Sequence, residues 1–313
     1  MLRHIVRRLL LAIPTLLAVF TIIFLLVRVA PGDPAVAVLG DRASAETVAA
    51  LREKMGINEP LWKQYVDFLG GLAQGDLGRS LISQKPVGEQ ILFVLPYTLE
   101  LTFAAIVIGL ALGVPTGVIT ALRRNKPVDY LGRIFSLVGL SFPAFYLGIL
   151  LMFFLAVKLN VFPAVGAADF SQPLKNLHYL VLPALTLGLI ETAYIARMTR
   201  SVMLSVLADD YVRTARAKGL KESSVLIGHA LRAAMIPVVS LIGIFAISLI
   251  GSSVLVEEVF ARPGLGKLMV GATKQKDYTT LQSIMVVYAL IIVIINLLTD
   301  LVYTFIDPRL RYD

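Results

Sequence analysis

The 313-residue chain has no cysteine, which excludes disulfides, thiol nucleophiles and Cys-ligated zinc or iron–sulfur sites. Its three histidines, His4, His178 and His229, lie far apart in the sequence, so no histidine-built metal site is expected. Charge is scarce: 16% of residues are Asp, Glu, Lys or Arg, against about 25% in a soluble domain. The phosphate-loop pattern G-x-x-x-x-G-K-[ST] is missing; Gly264-Leu265-Gly266-Lys267 lacks both the glycine spacing and the following hydroxyl residue. Neither H-E-x-x-H nor G-x-S-x-G occurs. The chain thus has no nucleotide site, cofactor motif or hydrolytic centre of its own to point to. What it has in plenty is apolar surface, 57% hydrophobic residues with a mean hydropathy of +0.80. Too little polar surface remains to cover such a chain in water. It reads as a membrane protein.

A membrane-crossing helix needs about 20 mostly apolar residues, and six runs qualify: 9–29, 101–122, 134–157, 179–196, 233–256 and 278–306. Each can satisfy its backbone hydrogen bonds internally, as lipid requires. The first run follows Arg3, Arg7 and Arg8 but is too long for a secretory leader, and Arg28-Val29-Ala30 is a poor cleavage site. It is expected to remain as a first span. Basic residues cluster in alternate connections. They are Arg123, Arg124, Lys126 and Arg133 after the second run, and Arg197, Arg200, Arg213, Arg216, Lys218, Lys221 and Arg232 after the fourth. Arg309 and Arg311 follow in the tail. By the positive-inside rule both termini are cytoplasmic. This bias accounts for the net charge of +8, so no nucleic-acid partner is needed. The fold class expected is an all-α membrane protein of six transmembrane helices, a single transmembrane domain over 1–313.

Two connections carry patterns of their own. In the extracytoplasmic stretch 31–95, Ser44 can cap a helix whose Val48, Leu51 and Met55 share a face, with Gly56 as its stop. Asn58 and Pro60 can open a second helix burying Trp62, Tyr65, Val66 and Leu69, ended by Gly70-Gly71. This stretch fits either a small helical cap or a docking surface for an external partner. In the cytoplasmic stretch 199–233, Asp209 can cap a short helix running from Asp210 to Lys218, with acid at its positive end and Lys218 at its negative end. Gly219 supplies a left-handed stop, and a second helix from about Lys221 leads to Pro237 at the fifth span. Small Thr214 and Ala215 would let another surface approach this elbow closely. A merely helical positive-inside loop would show the same local pattern.

Ionisable residues inside the runs are limited to Glu191 and Asp300, with Arg28 and Glu100 at edges; such groups often mark ion or proton paths. Pairing of Glu191 with Arg197 or a neighbouring helix is the structural alternative. Ser240, Gly243, Ser248 and Gly251 fall near one face of the fifth run, suited to tight packing or to lining a mildly polar conduit. Ser141-Phe142-Pro143 interrupts the third run, where proline frees a carbonyl and kinks the helix.

The elbow, Asp210-Tyr211-Val212-Arg213-Thr214-Ala215-Arg216-Ala217-Lys218-Gly219, closely resembles the ATPase-docking loop of binding-protein-dependent ABC importer permeases, the peptide/nickel branch in particular. Further matches run almost end to end: Pro31-Gly32-Asp33-Pro34, Gly75-Asp76-Leu77-Gly78, Ser141-Phe142-Pro143, Arg197-Met198-Thr199-Arg200, His229-Ala230-Leu231-Arg232, Pro263-Gly264-Leu265-Gly266 and Asp307-Pro308-Arg309. The general loop pattern begins Glu-Ala-Ala; here Arg213-Thr214-Ala215 stands in its place, Gly219 keeps the glycine, and Leu231-Arg232 replaces the later Leu-Pro.

The resemblance implies a type I ABC importer permease-like fold in a bacterial cytoplasmic membrane. It implies an elbow acting as a coupling helix, with Asp210, Tyr211, Arg213, Thr214, Ala215, Arg216, Lys218 and Gly219 against an ATPase. Ser141, Phe142, Pro143, Ser240, Gly243, Ser248 and Gly251 are the candidate pathway residues. The implied partners are a second, homologous permease, two cytoplasmic ATPase subunits holding ATP and Mg, and an extracytoplasmic substrate-binding protein. No cofactor is expected on this chain, which is a transport subunit rather than an enzyme. The implied substrate is a peptide, with glutathione, nickel chelates and related solutes also within the branch. The contrasting expectation is an ion-coupled secondary transporter, which would rely on intramembrane ionisable groups and an inverted repeat; no convincing repeat is present.

Overall fold

The computed structural model describes residues 2–29, 33–40 and 43–306. Pro31-Gly32, Asp307-Pro308-Arg309 and Arg311 lie outside the described residues, as do the side chains of Arg3, His4, Arg7, Ser240 and Asp300. Every regular element among the described residues is a helix. In chain order these are α1 (Leu2–Val29), α2 (Pro34–Leu39), α3 (Ala45–Lys54), α4 (Leu61–Ala73), α5 (Val87–Leu122), α6 (Pro127–Ser141) and α7 (Ala144–Leu151). They continue with α8 (Pro173–Ala208), α9 (Asp210–Ala217), α10 (Glu222–Ser224), α11 (Arg232–Val259), α12 (Leu265–Lys274) and α13 (Tyr278–Ile306). Two π-helical turns, Met152–Lys158 and Val225–Leu231, continue α7 and join α10 to α11.

Leu10–Val29, Val87–Leu122, Pro173–Ala208, Glu222–Val239, Leu241–Val259 and Tyr278–Thr299 are each long and apolar enough to cross a membrane. Glu222–Val239 and Leu241–Val259 follow one another along one helical run, which carries the fifth span. The third span differs from expectation. It is broken rather than kinked, with α6 and α7 meeting at 104° and Phe142-Pro143 in extended backbone between them. Proline at 143 removes an amide donor and forces its predecessor out of the helical region. Two other boundaries move outward, since α5 starts at Val87 and α8 runs to Ala208, so the connection after α8 opens at Asp209 instead of 199. Pro237 lies inside α11 rather than at its start.

The helices group into two compact units, Met1–Pro96 with Gly264–Leu297, and Tyr97–Pro263 with Leu298–Asp313. In the first, Asp33 caps α2 through the Ala35 amide at 2.9 Å and pairs with Arg52 of α3. Ser44 caps α3 through Thr47, as expected. Helix α4 departs from expectation. Tyr65 and Phe68 turn inward onto Phe24 of α1, with ring centroids 5.2 and 5.8 Å away, while Trp62 and Val66 are exposed. Gly70-Gly71 is inside the helix, and the left-handed stop comes at Gly75. Val87, Ile91 and Val94 of α5 pack with Leu265 and Ile284, and buried Asp277 ties Ser80 at 2.5 Å and Thr280 at 2.8 Å.

The second unit is held along a stripe of α5. Gly109, Gly113 and Gly117, four residues apart, face Glu191, Ile195 and Thr199 of α8. A β-carbon at these glycines would come within 2.8, 2.8 and 2.5 Å of those side chains. Only hydrogen fits there, which brings the two backbones together as small residues do between membrane helices. Leu101, Leu182, Leu187, Leu249 and Phe260 form the main buried cluster. At the far end of this seam from α9, fully buried Arg262 pairs with Glu100, which also accepts from Asn176 Nδ2 at 2.7 Å.

Candidate functional site

The elbow begins where α8 stops. Asp209 is extended (φ −69°, ψ 147°), and its carbonyl accepts from the Val212 and Arg213 amides at 3.1 and 3.3 Å. Its side chain makes no capping bond, contrary to the expected side-chain cap. Inside the eight-residue α9, Val212 and Ala215 turn inward and pack with Val225, bordered by Val206 and Leu207. At 3.6 residues per turn, positions three apart share one face of an amphipathic helix, which explains the spacing. Ala215 therefore belongs to the anchor and not to the outer face. Its small size lets α9 sit closely on its own chain, which corrects its placement among the surface residues.

The outward face carries Asp210, Tyr211, Arg213, Thr214, Arg216, Lys218 and Gly219, all exposed. Arg213 Nη2 donates to Asp210 Oδ1 at 2.5 Å, and Thr214 Oγ1 donates to the Asp210 carbonyl at 2.8 Å. Partial burial, then the Asp209 charge, push the Tyr211 phenol up from its ordinary value. At the end of α9, Gly219 has φ +76° and its amide donates to the Arg216 carbonyl at 2.9 Å, while the Leu220 amide reaches Ala215 at 3.4 Å. This is a glycine C-cap. Arg216 then spans the glycine, donating to Glu222 at 2.8 and 3.2 Å; that hydrogen bond holds its guanidinium above the usual value. Leu220 was missed by sequence reasoning. It is exposed beside Tyr211's helix, and an apolar residue directly after a glycine stop, with no partner in its own pattern, is the signal that marks it.

The candidate pathway residues do not form one set. Ser141, Phe142 and Pro143 are exposed at the break, with Phe142 stacked on Tyr146 at 5.7 Å. On α11, Ser248 and Gly251 are exposed on the face that also shows Ile244 and Leu255. Gly243 is buried; a β-carbon there would meet Thr299 Oγ1 at 2.1 Å, so its smallness serves helix packing. Ser240 lies on the α11 backbone, its side chain outside the described residues. Glu191 sits buried in the α5–α8 seam with Oε2 unpartnered. Arg197 does not pair with it as expected; its guanidinium stacks over Tyr194 at 5.7 Å.

Sequence reasoning also missed a clamp above the elbow. Asp129, fully buried at the start of α6, accepts from Arg200 of α8 at 2.6 and 2.8 Å and from the Asn125 amide at 2.9 Å. It fastens the α5–α6 turn to α8 about two turns before α8 ends at Ala208. An acid within a basic turn, facing an arginine two helices on, was the available signal. No group of His, Asp and Glu able to hold a metal occurs among the described residues.

Residues 113–312 match the family described as the binding-protein-dependent transport system inner membrane component, and residues 1–102 match its N-terminal counterpart. A dipeptide transport system permease protein of Alkalihalophilus pseudofirmus is 39% identical over 333 residues, covering all of both chains. A glutathione transport system permease protein of Escherichia coli is 41% identical over 312 residues, again covering all of both. Among solved structures, a chain of the inward-facing MetNI methionine ABC transporter superposes with a TM-score of 0.54 at 21% identity, covering 69% of this chain and 97% of that one. The fold is that of type I ABC importer permeases.

Proposed function

The chain belongs to the binding-protein-dependent transport system inner membrane components, and from that premise we propose that it forms half of a peptide pathway driven by a separate ATPase. It is a multi-pass inner-membrane protein and the membrane-spanning subunit of an ABC importer. In this reading α9 is the coupling helix. The carrying observation is its build: an inward anchor of Val212 and Ala215, an outward face of Tyr211, Thr214 and charged side chains, and a rigid glycine end. Such a piece can take a push on its open face and pass it to α8 and the run entering α11.

The partners follow from the same reading: a second permease, two ATPase subunits that hold ATP and Mg, and an external binding protein that delivers substrate. Both termini, and the elbow, are assigned to the cytoplasm, in keeping with the basic residues of the alternate connections. The stretch 31–95 is assigned to the external side as the surface nearest the binding protein, and 199–233 contains the docking segment. Peptide as substrate rests on the dipeptide and glutathione permeases among the relatives. The test is purification of this chain from membranes with whatever it retains, followed by ATPase and labelled-dipeptide uptake assays in liposomes. The reading expects an ATPase to co-purify and uptake to require ATP. Uptake by this chain alone, without ATP, would overturn it.

A further inference from the structure

A cavity of about 290 Å³ opens between α5, α6 and α8. Three guanidiniums line it: Arg133, Arg197 and Arg200. One carboxylate, Asp129, is beside them, and its oxygens are committed to Arg200 and the Asn125 amide. Arg133 comes no nearer to Asp129 than 3.7 Å, and its Nε is buried without a hydrogen-bond partner. Arg197 has no carboxylate within ion-pair distance among the described residues and only stacks on Tyr194. The hydroxyls of Thr116, Thr120 and Ser136 donate to carbonyls of their own helices, so the charged donors here are guanidinium N–H groups, with the Ser201 hydroxyl beside them. The cavity carries a surplus of positive charge, and the buried Arg133 Nε faces Asp129 Oδ1 only at 3.7 Å, beyond hydrogen-bond reach, while its guanidinium lies over the Tyr130 ring at 4.4 Å.

The rim sets the kind of anion. Leu137 lines the cavity and is exposed, and Leu131, Ile134 and Val138 continue the exposed apolar surface along α6. In a membrane-spanning chain that surface meets lipid tails, while the arginines lie at the end of the span where headgroups sit. Planar guanidiniums bind phosphate oxygens in pairs, and basic pockets between spans on the cytoplasmic side hold anionic headgroups. We propose that this cavity binds the phosphate of an anionic phospholipid through Arg133 and Arg197, its acyl chains lying along α6. Arg200 shapes the floor, since Asp129 holds it. The lipid would thereby brace the α5–α6 turn against α8. The proposal needs only that the chain spans a membrane, so it stands or falls separately from the docking role of α9.

The test is native mass spectrometry of the purified full chain with its retained partners, titrated with dioctanoyl phosphatidylglycerol, dioctanoyl phosphatidylcholine or inorganic phosphate. Phosphatidylglycerol should bind at a saturable site about tenfold or more tightly than phosphatidylcholine. Arg197→Gln should weaken it by about tenfold, the scale of one charged hydrogen bond, and Arg133→Gln by at least as much. Arg197 is exposed and supports no buried acid, so its variant should fold. Equal binding of the two lipids, or unchanged phosphatidylglycerol binding in both variants, would overturn the proposal. Displacement of phosphatidylglycerol by equimolar inorganic phosphate would assign the site to a soluble anion and overturn the lipid.

Discussion

Gly219 offers a test of the elbow in which backbone and side-chain effects separate. Its φ of +76° lies in the left-handed region, and a β-carbon built there meets nothing within 4 Å. A substitution therefore changes the backbone preference without creating a clash. Holding an ordinary L-residue in that region costs roughly 1–2 kcal/mol, and a β-branched residue stands at the upper end. At about 1.4 kcal/mol per tenfold, Gly219→Val shifts the balance of latched and unlatched elbow ends by about tenfold. The latch consists of the Gly219 and Leu220 amide bonds and the Arg216–Glu222 pair. Asparagine tolerates this region far better, so Gly219→Asn should stay near wild type and Gly219→Ala should fall between. The assay is labelled peptide taken up per ATP hydrolysed in proteoliposomes holding the intact complex. The ratio should fall in the order Asn, Ala, Val. A wild-type ratio in Gly219→Val, or equal damage from Asn and Val, would refute the backbone reasoning.

Three further outcomes follow from the same geometry. Ala215→Leu overfills the contact with Val212 and Val225 at a cost of about 1–3 kcal/mol, so less ATPase should co-purify; full recovery would show that the anchor tolerates the bulk. Asp129→Asn leaves Arg200 without its acid, and removing one partner of a buried pair costs about 3–5 kcal/mol, the low end applying because Arg200 is 20% exposed. Thermal unfolding in detergent should move down, and adding Arg200→Gln should recover part of the loss; a double variant as unstable as the sum of the singles would deny the pairing. Glu191→Gln keeps the shape of the buried side chain, so ATP-coupled uptake should persist. Loss of uptake with intact substrate-stimulated hydrolysis would instead mark Glu191 as a proton-handling group.

Features governed by local chemistry were legible before any coordinates. Ser44 caps α3 and Gly219 ends α9 because a side-chain acceptor and a left-handed φ are properties of one or two residues. Spans were legible because lipid demands long apolar runs. Their ends were not: α5 begins at Val87 and α8 reaches Ala208, since a helix leaving the membrane changes polarity without changing backbone. Facing was the other loss. Trp62 and Val66 share α4 with Tyr65 and Phe68, and only the position of Phe24 decides which pair is covered. Ala215 looked like surface because an eight-residue helix has too few turns to declare its inner side. The glycines at 109, 113 and 117 stood at readable spacing, but their partner helix is set by tertiary packing.

Seating of a partner ATPase on the outer face of α9, as proposed above, can be tested directly. Because the chain has no native cysteine, single cysteines can be placed on it without background. Tyr211→Cys and Thr214→Cys on the open face, and Ala215→Cys on the buried face, would be treated with a short bismaleimide in the assembled complex whose ATPase carries a cysteine in its surface groove. Cross-linked permease–ATPase bands are expected from the first two and none from Ala215→Cys. Absence of cross-links at both exposed positions, in a complex that still hydrolyses ATP in response to substrate, would contradict it.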